Sequence, residues 1–134
     1  MQKIAKNFVF LIALGVLLFM AAGALGFAPA TSVHPEEREQ IQESLASGKA
    51  LFVDVRTPAE YAQNGLPGSV NIPLHELTFR ISEFGNPEDS ILLYCRTGNR
   101  SSQAQRILEQ YGFQEVQDLG GHRSAQQFIS EIQR

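Results

Sequence analysis

Two short apolar runs constrain this chain more than any other feature: ALFVDV at residues 50–55 and ILLYC at residues 91–95. Each is too short for an ordinary helix and long enough for a strand buried on both faces. Segments of a different period lie around them. Ile41 and Leu45 stand four apart in residues 36–47, which end at Gly48. Leu74, Leu77, Ile81 and Phe84 form one helical face, stopped by Gly85-Asn86-Pro87. Ala104, Ile107, Leu108 and Tyr111 form another, stopped by Gly112, and Ala125, Phe128, Ile129 and Ile132 a third. Thr57-Pro58-Ala59-Glu60 is a helix start, with Thr as cap, Pro in the first turn and Glu at the capping-box position. Shorter strands are expected at residues 69–72 and 113–119. Apolar strands alternating with helices predict an α/β fold, a parallel sheet covered on both faces. Sites in such sheets lie beyond the carboxyl ends of the strands. That rule singles out Asp54-Val55-Arg56 and Tyr94-Cys95-Arg96.

The first 30 residues follow another pattern. Lys3 and Lys6 precede residues 8–27, which carry no charge, and Ala28-Pro29-Ala30 offers a small-residue exit. A basic start, apolar middle and small-residue end are the layout of a secretory signal. The run is also long enough to span a bilayer as an uncleaved anchor. The Ala-x-Ala site favours cleavage over anchoring by residues 8–27. Either way, the expected division is an export segment at 1–30, a linker at 31–35 and a single domain at 36–134. The domain is then expected in the periplasm or on the outer face of the cell membrane.

Charge narrows the function. The whole chain has 11 Lys+Arg against 14 Asp+Glu, a formal −3. Without Lys3 and Lys6 the remainder stands at −5. Charge alone excludes a basic nucleic-acid binder. An anion site in an acidic domain has to be made by local geometry. One cysteine excludes an intramolecular disulfide framework and a four-cysteine zinc site. His34, His75 and His122 have no metal-ligand spacing, so no metal is expected.

That cysteine, Cys95, ends the second apolar run. Arg96, Thr97, Gly98, Asn99 and Arg100 follow, and a helix is expected from Ser101 onward. A tight loop between strand end and helix start turns backbone N–H groups inward. The helix N-terminus adds positive partial charge, and Arg96 and Arg100 add two full charges. A thiol in such a cradle ionises readily. A lone buried cysteine is more often inert, but a glycine among polar residues and two arginines is poor material for burying one. Four residues separate Cys95 from Arg100. A cysteine phosphatase loop has five, usually with His before the cysteine, where this chain has Tyr94. The shorter loop suits a smaller reacting centre, a sulfur atom.

Cys95-Arg96-Thr97-Gly98-Asn99-Arg100 resembles the six-residue active loop of single-domain rhodaneses, the thiosulfate sulfurtransferases. Three further stretches resemble the family in order: Val53-Asp54-Val55-Arg56-Thr57-Pro58-Ala59-Glu60-Tyr61, Leu66-Pro67-Gly68-Ser69-Val70-Asn71-Ile72-Pro73, and Asp118-Leu119-Gly120-Gly121. Together they cover about residues 37–134, and the small exported members are the nearest type. The chain departs from the family at Asn64-Gly65, where Gly-His is frequent, and in having no Trp.

The resemblance implies a three-layer fold with about five short, mostly parallel strands. It implies sulfur transfer through a persulfide on Cys95. A small anionic donor such as thiosulfate would supply the sulfur, and cyanide or a thiol would accept it. Arg96, Thr97, Gly98, Asn99 and Arg100 are expected to bind the donor. Asp54, Arg56 and Ser101 are expected to support the loop, Asp54 as acceptor from the loop or from Arg56. No cofactor, nucleic acid or partner protein is required, and a monomer is expected. A sulfur carrier that turns over slowly with a partner is the alternative of another class. With no second thiol in the chain, a persulfide on Cys95 has to be passed to an outside acceptor.

Overall fold

A computed structural model describes residues 35–133. The chain divides into two units at residues 32 and 33, and the described residues all fall in the second. The expected export segment at 1–30 and the linker up to residue 34 lie outside the described residues. Among those described, no helix is long and apolar enough to cross a membrane.

Helix α1 runs Pro35–Ala46, strand β1 Ala50–Asp54, helix α2 Pro58–Asn64 and strand β2 Val70–Asn71. A 3-10 segment follows at Leu74–Phe84, then strand β3 Ser90–Cys95, helix α3 Asn99–Gln110, strand β4 Val116–Gly121 and helix α4 His122–Ile132. The sheet order is β2-β1-β3-β4, all parallel. The α/β fold with a covered parallel sheet is therefore as the sequence predicts. Four strands form among the described residues, against about five expected from the resemblance.

β3 is central, and its residues explain the layers. Ile91, Leu93 and Cys95 join one core, with Leu77 and Phe84 of the 3-10 segment and Ala104 and Leu108 of α3. Leu92 and Tyr94 point the other way, into a core with Ile41 of α1 and Phe128, Ile129 and Ile132 of α4. Side chains alternate along a strand, so one apolar run serves two cores. Complete burial of Ile91, Leu92 and Leu93 is worth roughly 1.5–3 kcal/mol each. The same alternation sends Cys95 to the α3 side, the side on which the next helix begins.

The segment expected as one regular helix at Leu74–Phe84 is 3-10 in form, with non-helical backbone at Arg80 (φ −113°, ψ 22°). Its apolar residues explain this. Leu74 and Leu77, and Ile81 and Phe84, are two pairs spaced by three, and a 3-10 turn eclipses i and i+3. The break at Arg80 supplies the extra residue between the pairs. β4 also begins later than expected, at Val116, and gains a residue relative to β3. Leu93 pairs with Asp118, but Cys95 pairs with Gly121. Gly120 takes a φ of +79° within this bulge, and Asp118 Oδ1 accepts its N–H at 2.8 Å. The bulge bends β4 toward the loop after Cys95.

Candidate active site

Cys95 ends β3, and three residues, Arg96, Thr97 and Gly98, carry the chain to the start of α3 at Asn99. Gly98 has a φ of +97°, a conformation that residues with a Cβ resist. This twist points its N–H at the thiol, 3.0 Å from Cys95 Sγ. Ser101, in the first turn of α3, directs its hydroxyl to the same sulfur at 3.5 Å, with Gly98 O at 3.1 Å and Gly120 O at 3.4 Å as competing acceptors. Cys95 and Ser101 are both fully buried.

Burial pushes the Cys95 thiol up. Bonds from the Ser101 hydroxyl and from the Ser101, Thr97 and Gly98 backbone outweigh it, and the thiol lies below its ordinary value. The sulfur is thus held by donors that favour a thiolate.

The loop rests on the double glycine at the end of β4. Thr97 forms an antiparallel bridge with Gly121, and His122 N–H reaches Arg96 O at 3.4 Å. A Cβ at Gly121 would stand 3.0 Å from Arg96 O and 3.4 Å from Thr97 Cα. Two stretches 25 residues apart therefore meet backbone to backbone, and a side chain in place of the glycine would push them apart by a few tenths of an ångström. The sequence flagged Gly120-Gly121 by resemblance alone. Its task is to let β4 lie against the loop.

The expected donor-binding residues separate into two groups. Thr97 and Gly98 gather around the sulfur, together with Ser101, which was expected as a support of the loop. Arg96 and Asn99 are exposed, and Asn99 Oδ1 accepts a bond from Gln103 along the helix. Arg100 turns to α2, where its guanidinium donates to both oxygens of Glu60 at 2.8 and 2.9 Å. Glu60 is a site residue that sequence reasoning missed. It was read as a capping-box residue, which it is: its Oε2 accepts from the Thr57 N–H and hydroxyl. Nothing local reveals its second partner, 40 residues away. The Arg100 bonds hold the Glu60 carboxyl well below the usual range.

Asp54 and Arg56 form a buried pair beside the loop. Asp54 accepts the Arg56 N–H at 2.9 Å, Nε at 2.9 Å and Nη2 at 2.7 Å. The Arg56 guanidinium also donates to Asn64 Oδ1 at 2.8 Å, and lies 5.7 Å from the Tyr94 ring centre. Of the two acceptor roles expected for Asp54, the structure places it on Arg56. The Asp54 bond raises the Arg56 guanidinium further above its already high ordinary value. The pair ties the end of β1 to the end of α2. Tyr94, before the cysteine, fixes the next turn: its hydroxyl accepts Leu66 N–H at 2.9 Å and bonds Ser69 Oγ at 3.1 Å.

Comparison with known proteins follows the same lines. The family model of the rhodanese-like domain matches residues 37–125. A sulfurtransferase of Allochromatium vinosum is 39% identical over 90 residues, covering 66% of this chain and 83% of the relative. The thiosulfate sulfurtransferase PspE of Escherichia coli is 38% identical over 71 residues, covering 52% and 68%. Among solved structures, a rhodanese with anions from E. coli superposes with a TM-score of 0.54 at 36% identity, covering 56% of this chain and 89% of that one.

Proposed function

The chain belongs to the rhodanese-like domain family, and from that premise we propose that it is a sulfurtransferase whose Cys95 carries the transferred sulfur as a persulfide. The observation that carries this reading is the cradle itself: a buried sulfur facing the Gly98 N–H at 3.0 Å, at the mouth of helix α3. Such donors stabilise a sulfur anion whether it is the thiolate or the outer atom of a persulfide.

The reaction balances without an external oxidant. The Cys95 thiolate attacks the outer sulfur of thiosulfate, the donor's S–S bond breaks, and sulfite leaves with the electron pair. The new persulfide anion takes over the loop's N–H donors. An acceptor, cyanide or a thiolate, then attacks the terminal sulfur and restores the thiolate. This is covalent catalysis with ping-pong kinetics. Arg96, exposed at the rim, draws in the anionic donor, and Asn99 and Arg100 shape the helix side of the loop. Asp54, Arg56 and Ser101 hold the frame. The basic, apolar and small-residue layout of residues 1–30 supports work beyond the membrane.

The test is a thiosulfate:cyanide assay on the purified protein beside Cys95→Ser. Thiocyanate should form with the parent and fall to background with the variant. Thiocyanate production surviving the substitution would remove Cys95 from the reaction. Mass spectrometry after thiosulfate alone should show one added sulfur atom on the parent. A persulfide that forms but passes to no acceptor at catalytic rates would favour the slow carrier instead.

A further inference from the structure

We infer that Glu60 is a specificity-determining residue of this site: by pairing with Arg100 it masks that guanidinium and turns the site away from dianionic donors toward donors of lower charge. The inference rests on the sulfur-transfer reading above and deepens it. A loop with two arginines looks built for a dianion. The structure gives them different states. Arg100 meets both oxygens of Glu60, a two-bond contact between side chains that are 30% and 25% exposed. The nearby Arg56 is likewise taken by Asp54. Arg96 carries no ion pair among the described residues.

A bidentate carboxylate uses the fork and the charge of a guanidinium together. What faces the donor is then the backbone cradle and Arg96, not two unmasked cations. Coulomb energy scales with ligand charge, so masking costs a dianion about twice what it costs a monoanion. Glu60 can lose its charge without losing its cap, because Gln also serves at this position of a capping box. That separation makes Glu60→Gln informative.

The probes are thiosulfate, a dianion, and a small alkylthiosulfonate, a monoanion. Both yield the same persulfide, releasing sulfite or a sulfinate. Glu60→Gln should raise kcat/KM for thiosulfate roughly five- to tenfold and for the thiosulfonate about two- to threefold, as charge scaling requires. The gain should largely vanish when Arg100→Ala is added. Thr57→Ala weakens the cap but leaves the carboxylate, and should leave the ratio of the two donors unchanged. An unchanged donor ratio in Glu60→Gln, or a thiosulfate rate that falls, overturns the inference.

A second pair of probes does not depend on sulfur transfer. Glu60→Gln should speed Cys95 alkylation by anionic iodoacetate relative to neutral iodoacetamide by about two- to threefold, on the same charge argument. If no donor yields thiocyanate with any form, the sulfur-transfer reading fails. The alkylation ratio then decides the masking separately, a rise upholding it and a flat ratio ending it.

Discussion

Replacing Gly121 with Ala tests whether close backbone approach, rather than the loop sequence alone, sets the state of Cys95. Gly121 has φ −77° and ψ 162°, which alanine adopts freely. Conformational strain is therefore absent, and the lost flexibility of the unfolded chain would favour the variant by about 0.4–1 kcal/mol. The steric cost opposes this. The added Cβ meets Arg96 O at 3.0 Å and Thr97 Cα at 3.4 Å, whereas carbon–oxygen contacts between strands settle at about 3.3–3.6 Å. β4 and the loop must part by a few tenths of an ångström, and overpacking of this kind costs about 1–3 kcal/mol. The net loss of stability should be on the order of 1 kcal/mol.

The site should respond more than the fold. The Gly98 N–H bond to the sulfur spans 3.0 Å and starts two residues beyond the displaced carbonyl. Hydrogen bonds to charged groups are worth about 1.5–3 kcal/mol. Losing about half of one raises the thiol by roughly half to one pH unit. The assay is the pH dependence of iodoacetamide alkylation, with thermal unfolding alongside. The midpoint should move up, and persulfide formation should slow at pH values below it, where less of the thiol is ionised. A midpoint equal to the parent's in a folded variant would show that the Gly121 contact does not position the loop.

Three further outcomes follow from the same contacts. Ser101→Ala removes a hydroxyl donor from Cys95 Sγ, so the alkylation midpoint should rise while stability falls by only about 1 kcal/mol; an unmoved midpoint would exclude that bond. Asp54→Asn leaves the Arg56 guanidinium, 4% exposed, without its counter-charge, and urea unfolding should show a loss of about 3 kcal/mol or more; a loss within error of zero would contradict the pairing. Glu60 has its folded-state carboxyl depressed by Arg100 from an ordinary 4.5. Its contribution is present above that value and is lost as pH falls through the acid range. It is about 1 kcal/mol for so accessible a pair. Glu60→Gln should flatten stability against pH below about 4.5, and an unchanged acid slope would show the pair to be idle.

The sequence carried the fold a long way because its signals are local. Strand β3 is legible in ILLYC, and the alternation of its side chains follows from strand geometry. Helix α2 is legible in Thr57-Pro58-Ala59-Glu60, and the capping box forms as the residues predict. Less was legible where a period fits two structures. Leu74, Leu77, Ile81 and Phe84 satisfy a helical face and also two 3-10 turns. The choice fell to the core, which takes Leu77 and Phe84 on one side of the sheet. β4 runs on to Gly121, past the expected Leu119, because a bulge created by pairing with β3 has no local signature beyond a glycine.

The candidate site divides in the same way. Cys95, Gly98 and Ser101 lie within seven consecutive residues, so strand, turn and helix start bring them together by local geometry. Their sequence alone determined that a thiol would end a buried strand at the mouth of a helix. Tertiary structure decided what touches that loop from a distance. Gly121 lies against Arg96 and Thr97, and Glu60 takes Arg100 from another helix. Neither pairing follows from spacing, because contacts between elements depend on how the sheet orders β1, β3 and β4, and that order is set by burying both faces of β3 at once.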